Sequence, residues 1–255
     1  MTTEHAGSGN VHRSMELLWD LCERPSRGPK PGLTLETIVT AAVEIADAEG
    51  LEALSMRRVA THLGVGTMSL YRYIPGKSEL LDLMLDHVLE MPDGVPDMSH
   101  LGWREFLERT AREQWQLCMS HPWYPFVDQA RPLLGPNGLE TVEYVFRHLR
   151  PMGLSDQEMA VVITSLSNFV ESTARVYINE KQAEERTGIS NDEFWAAQAP
   201  ALDEAMKSGQ FPVMADLAGD TWGFTSETVF EFGLQRFLDG LESFLARRSS
   251  ADHEH

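Results

Sequence analysis

Arg57, Arg58, Thr67, Ser69, Tyr71, Arg72, Tyr73 and Lys77 cluster in sequence around a small residue, Ala60, and a glycine, Gly64. Hydroxyls, phenols and cations grouped in this way can bond to phosphate oxygens and to the acceptors on base edges. To reach them, two short helices must cross closely through a tight turn, which calls for a small residue in the first helix and a glycine at the turn. Ala60 and Gly64 meet those two needs, and Val59, Leu63, Val65 and Leu70 have the spacing of the small core that fixes the crossing angle. The second helix of the pair, residues 67–73, would then lie in a major groove with its N-terminal residues toward the bases. Each residue also has a plainer reading: Arg57 and Arg58 as solvated charges, Tyr71 and Tyr73 as core aromatics, Lys77 as the partner of Glu79 or another nearby carboxylate. Their joint placement around Ala60 and Gly64 favours the DNA-binding reading.

The elements that must position these residues follow from local signals. Leu35, Ile38, Ala42, Ile45 and Ala46 keep helical spacing, with Thr34 able to cap the start and Gly50 the end. Ser55 can cap a shorter helix over residues 56–63 and Thr67 a third that runs to about Tyr73. After Pro75-Gly76, an apolar stripe of Leu80, Leu81, Met84, Leu85, Val88 and Leu89 predicts a linker helix over residues 77–90. Beyond residue 95 every strong period is helical, and helices are expected at 102–120, 136–150, 155–184, 191–207 and 225–247. Ser155-Asp-Gln-Glu158 and Ser190-Asn-Asp-Glu193 read as capping boxes. Residues 1–32 show no sustained period except at 15–21, and Arg24-Pro-Ser-Arg-Gly-Pro-Lys-Pro-Gly32 opposes helix and sheet alike. The expected fold is all-α. A flexible basic arm (1–32) precedes a three-helix helix-turn-helix domain with its linker helix (33–90), then a larger helical domain for ligand binding and dimerisation (95–248) and a disordered tail (249–255).

The 255 residues carry a formal charge of −18, unfavourable for a partner that is itself a polyanion. The average hides an asymmetry, because residues 22–78 hold seven basic groups against six acidic ones and the acidity sits mainly after residue 79. No apolar run reaches the roughly 18 residues of a membrane span, and Cys22 and Cys118 are far apart with no leader at the N-terminus. A cytoplasmic protein is expected.

Residues 33–88 resemble the DNA-binding domain of TetR-type transcriptional regulators, through Ala48-Glu-Gly-Leu51, Leu54-Ser-Met-Arg-Arg-Val-Ala60, Leu63-Gly-Val-Gly-Thr-Met-Ser-Leu-Tyr-Arg-Tyr-Ile74 and Lys77-Ser-Glu-Leu-Leu81. Downstream, His121-Pro-Trp123, Gly135-Pro-Asn137 and the stretch from Phe232 to Leu241 are similar to the tetracycline-repressor-like C-terminal domain. The resemblance implies that Arg57 reads a base, guanine being the natural partner of its guanidinium. It places Thr67 and Met68 at base edges, Ser69 at base or phosphate, and Tyr71 and Lys77 at phosphates. The family's Tyr-x-His-Phe is Tyr71-Arg72-Tyr73-Ile74 here, so the histidine's contact passes to a phenol. Arg24, Arg27 and Lys30 could reach phosphate or the minor groove from the arm.

The resemblance further implies a homodimer on a palindromic operator, a small-molecule effector bound in the second domain, and repression as the expected sign. Candidate pocket residues are Trp115, Met119, Trp123, Phe126, Phe146, Phe169 and Tyr177, each of which could equally be plain core. Phe230, Leu234, Phe237 and Leu241 form the expected dimerisation face of the last helix, with the alternative that this face is buried inside one subunit. No metal spacing, phosphate loop or nucleophile elbow is present, so no cofactor, no metal site and no enzymatic activity are expected. The competing reading is an all-helical small-molecule-binding protein or enzyme whose N-terminal helices merely pack.

Overall fold

Thr34 starts the first helix of the predicted domain as a full cap: its hydroxyl accepts from the Thr37 amide while the Thr37 hydroxyl meets the Thr34 amide, at 3.1 and 2.8 Å. In this computed structural model, residues 4–20, 33–91, 94 and 96–252 are described. Within them the elements are α1 (Val11–Leu18), α2 (Leu35–Glu49), α3 (Met56–His62), α4 (Thr67–Leu70), α5 (Lys77–His87), α6 (Trp103–Ser120), α7 (Pro136–Leu149), α8 (Asp156–Thr187), α9 (Asn191–Lys207), α10 (Pro212–Ala215) and α11 (Ser226–Asp252). Two 3-10 turns, Tyr124–Phe126 and Arg150–Met152, flank α7, and the one β-type pairing among the described residues is an isolated bridge between His5 and Asp128.

The all-α class is as the periodicity implies, and α9 begins where Ser190 and Glu193 form their capping box. Four helix ends differ by three residues or more, one of them that of α8, which runs to Thr187 rather than 184. The linker helix stops at His87 rather than Glu90, and α4 stops at Leu70, followed by a turn. The last helix runs to Asp252, four residues into the stretch expected to be tail. The larger difference is at the N-terminus: residues 4–20 are not arm but a folded segment carrying α1, with Ser14, Leu17 and Leu18 buried.

Chain contacts divide the molecule into two compact units, residues 1–168 and 169–255. The first is built on α5, which packs against α1, α2 and α7. Its core is apolar, with Ile38, Ala42, Val59, Leu70, Ile74, Leu80 and Met84 fully buried, and Phe106, Leu107 and Leu149 nearly or fully so. Residues 96–150 fall in the first of these units, together with the N-terminal helices. In the second unit α11 comes close to the middle of α8 at Gly233. A Cβ there would lie 2.5 Å from the Phe169 ring, which stacks on Phe230.

Candidate nucleic-acid interface

Helix α3 starts at Ser55, whose hydroxyl accepts from the Arg58 amide at 3.1 Å, and it buries Met56, Val59 and Ala60. Ala60 is only 1% exposed, consistent with a site where nothing larger fits. At the turn, Gly64 has φ +65° and a Cβ placed on it would meet nothing within 4 Å. The left-handed backbone, not crowding, is what calls for glycine here. That turn returns the Val65 amide to the Ala60 carbonyl at 3.0 Å.

Helix α4 is a single turn held by one apolar anchor, Leu70, which is completely buried, as is Ile74. The opposite residues point to solvent: Met68 is 75% and Tyr71 45% exposed, Arg72 is exposed, and Thr67 and Ser69 are half-buried. Arg57, the second residue of α3, is exposed too, and its side chain bonds to no other described residue. The structure thus brings Arg57, Thr67, Met68, Ser69, Tyr71 and Arg72 onto the exposed part of one helix pair. Arg58 is turned to a different task. Its guanidinium grips the Glu49 carboxylate at the end of α2 in a two-point pair, and this bond holds the Glu49 carboxyl below its ordinary value.

Two residues expected at DNA are engaged elsewhere. Tyr73 is half-buried and its hydroxyl donates to the Leu33 carbonyl at 3.1 Å. Phosphate oxygens only accept, so a phenol that has already given its proton has nothing to offer them, and Tyr73 instead fastens the turn after α4 to the start of α2. Lys77 donates to the Glu4 carboxylate at 2.7 Å and to the Leu51 carbonyl at 3.2 Å, which leaves one of its three donors. The plainer reading of Lys77 was right in kind, but the carboxylate is Glu4, not Glu79. Arg24, Arg27 and Lys30 lie outside the described residues.

Behind the interface, α5 carries three buried acids, Glu79, Asp82 and Asp86. Asp82 accepts from the Gly7 amide at 2.8 Å and the Ser14 hydroxyl at 2.7 Å. Asp86 accepts from the Gly138 amide at 2.8 Å and the Asn137 amide at 3.3 Å, so it caps the first turn of α7 from a neighbouring helix. No side chain within α7 does this, since the helix opens on Gly135-Pro136. Burial pushes both carboxyls up from the ordinary aspartate value, against the opposing pull of these hydrogen bonds. A native pKa above the unfolded one means the folded chain binds its proton more tightly. The two groups therefore favour folding more as pH falls from neutrality through the raised native values, and the gain is complete once pH passes below the unfolded pKa near 3.8. The melting temperature of the wild type relative to an Asp82→Asn, Asp86→Asn variant is expected to rise as pH is lowered from about 7 to about 4.5. Parallel thermal-melt profiles for the two proteins would refute this.

A second polar tie joins α2 to the end of α6. Asp47 accepts from the Trp123 indole at 2.7 Å and sits 2.9 Å from the His121 ring nitrogen. Trp123, expected in a ligand pocket, is 4% exposed and has its polar edge committed to this tie. Of the other pocket candidates, Trp115 is buried and Met119, Phe126, Phe146, Phe169 and Tyr177 are half-buried, the last two in the second unit. A crevice of about 280 Å³ lies in the first unit, lined by Leu17, Leu35, Val39, Leu83, Asp86 and Asn137 among others, and none of the seven candidates lines it. On α11, Phe230, Leu234 and Leu241 are buried within the single chain and Phe237 is half-buried. The large apolar residues left exposed there are Val229, Phe232 and Phe244, of which Val229 and Phe232 lie off the dominant apolar stripe. Among the described residues no group of three or more His, Cys, Asp or Glu side chains could hold a metal, and no helix is long and apolar enough to cross a membrane.

Comparison with known proteins agrees with this geometry. Residues 38–84 match the model for bacterial regulatory proteins of the tetR family, and residues 95–245 that for the tetracyclin repressor-like C-terminal domain. The HTH-type transcriptional repressor DrrR1 of Streptomyces coeruleorubidus is 53% identical over 97% of this chain and 91% of its own. An HTH-type transcriptional regulator of Saccharopolyspora erythraea is 31% identical over 88% of this chain and 90% of its own. Among solved structures, ActR from Streptomyces coelicolor in complex with actinorhodin superimposes with a TM-score of 0.66 at 32% identity, covering 84% of this chain and 97% of ActR.

Proposed function

This chain belongs to the tetR family of bacterial regulatory proteins and is a ligand-responsive transcriptional regulator of the repressor type, and we propose that it works in the cytoplasm as a homodimer on a palindromic operator, released by a small hydrophobic or amphiphilic effector. The observation that carries the DNA-binding part is the exposed group of Arg57, Met68, Tyr71 and Arg72, with half-buried Thr67 beside them, on a helix pair whose inward residues, Ala60 and Leu70, are sealed. Exposed donors backed by a rigid, buried hinge are what reading a groove requires.

A dimer supplies the symmetry for two such groups to meet two half-sites about one helical turn apart. Exposed Val229 and Phe232 on α11 and Val176 on α8, all in the second unit, offer it an apolar face. The effector class is supported by ActR, whose structure was solved with actinorhodin. In a mobility-shift assay on genomic fragments, the protein is expected to select a palindrome, to lose it as salt rises, and to lose it at constant salt when the effector is added. Equal retardation of every fragment, or of none, would overturn the proposal, and the second outcome would restore the reading in which the N-terminal helices merely pack.

A further inference from the structure

Residues 4–19 form a strap with two anchorages inside the first unit. One is the loop before α7: the Ala6 amide donates to the Asp128 carbonyl and the Asp128 amide to the Glu4 carbonyl, both at 2.9 Å. The His5 ring lies 3.0 Å from the Asp128 carboxylate, and the Trp19 indole donates to the Leu134 carbonyl at 3.1 Å. The other anchorage is α5, where Gly7 and Ser14 bond to Asp82 and the Asn10 amide donates to Glu79 at 2.9 Å. The approach is close: a Cβ on Gly9 would fall 2.5 Å from a Glu79 oxygen and 3.0 Å from the Ser78 Cβ, so a larger residue there must displace the Glu79 carboxylate that the strap bonds to.

At the end of this strap, Glu4 takes the ammonium of Lys77, the first residue of α5. Lys77 stands at the position where the helix-turn-helix would meet a phosphate. With the strap docked, its charge is already neutralised and a carboxylate stands beside it. From this geometry we propose that residues 4–19 are a built-in electrostatic brake on DNA binding, in which Glu4 competes with a DNA phosphate for Lys77. The strap's other anchorage, the 128–134 loop, places Lys77 under the control of that loop: a shift of Asp128 moves Glu4 directly, since the two backbones are paired. This inference rests on the DNA-binding role proposed above and adds a second state to it.

The test uses the full chain and a 30-base-pair duplex of random sequence, because non-specific affinity reports phosphate contacts without knowledge of an operator. Each phosphate neutralised steepens the log-log dependence of affinity on salt by about 0.9, so freeing Lys77 should make the advantage over wild type grow roughly threefold between 200 and 50 mM salt. Glu4→Gln is expected to show that steeper slope, and Glu4→Gln with Lys77→Ala to lose it. Gly9→Val keeps the Glu4 charge but forces the strap off α5, and is expected to show the same steepening together with faster hydrogen exchange at the Gly7 and Asn10 amides. Glu52→Gln, which removes the same charge from an exposed site next to Leu51, is expected to keep the wild-type slope. A slope unchanged in both Glu4→Gln and Gly9→Val, with wild type binding the duplex, overturns the brake. A wild type that binds no duplex at low salt overturns the DNA-binding role itself.

Discussion

Leu70→Ala is expected to abolish specific DNA binding and to lower stability by about 2 to 5 kcal/mol, the range for emptying a fully buried leucine site. Leu70 is 0% exposed and is the only buried residue of α4. A single helical turn has no stability of its own, because nucleating a helix fixes several residues for one hydrogen bond. What holds Thr67, Met68 and Ser69 in place is therefore the packing of Leu70 behind them and the backbone bonds that the Tyr73 and Ile74 amides return to its carbonyl, at 2.8 and 3.0 Å. Removing the side chain unpins the helix at its one buried residue. The decisive comparison is a thermal melt and a mobility shift on Leu70→Ala and Leu70→Met side by side. Methionine keeps nearly the same volume, and is expected to cost under about 1.5 kcal/mol and to retain binding. Leu70→Ala binding its operator within twofold of wild type would show that α4 does not depend on this anchor.

The interface was legible in the sequence where a local rule governs it. Gly64 announces its positive φ, Ser55 and Thr34 announce their caps, and the alternation of Leu70 with polar neighbours gives both faces of α4. What escaped was held by polar contacts between distant segments. Composition reads residues 4–20 as arm because their anchors on α5, Gly7, Asn10 and Ser14, contribute nothing to hydrophobic periodicity, while their partners Glu79 and Asp82 sit on a helix whose carboxylates look like an ordinary solvated face. Asp86 escaped for the same reason. A cap supplied by another helix leaves no trace next to the helix it caps, and α7 shows only Gly135-Pro136 where a capping side chain would stand. Tyr73 was misplaced by analogy with a histidine position, whereas its partner, the Leu33 carbonyl, is 40 residues away. The dimer face shows the same limit from the other side, since periodicity finds the apolar stripe but cannot divide it between core and partner. Phe230 and Leu234 went to the core, and Phe232 was left outside.

Arg57→Ala is expected to weaken operator binding by about 1 to 3 kcal/mol and to relax preference at one base pair in each half-site, the signature of a lost bidentate contact to guanine. The structure separates this arginine from its neighbour. Arg57 is exposed and no described side chain takes its guanidinium, while Arg58 is spent on Glu49. Arg58→Ala is accordingly expected to leave the base preference intact, and Lys77→Ala to leave it intact as well, flattening the salt dependence by about one unit only in a Glu4→Gln background, where the ammonium is free for phosphate. Arg57→Lys is the sharpest control, because lysine keeps the charge but loses the planar fork. If the arginine reads a base, lysine restores the salt dependence without restoring the preference. If it only neutralises phosphate, the preference is the same in all of these proteins and lysine restores only the salt dependence lost with alanine. Binding selections with randomised half-sites on the four variants would decide between them, and a base preference that survives Arg57→Ala unchanged would remove Arg57 from the reading surface and leave Thr67, Met68 and Ser69 to carry it.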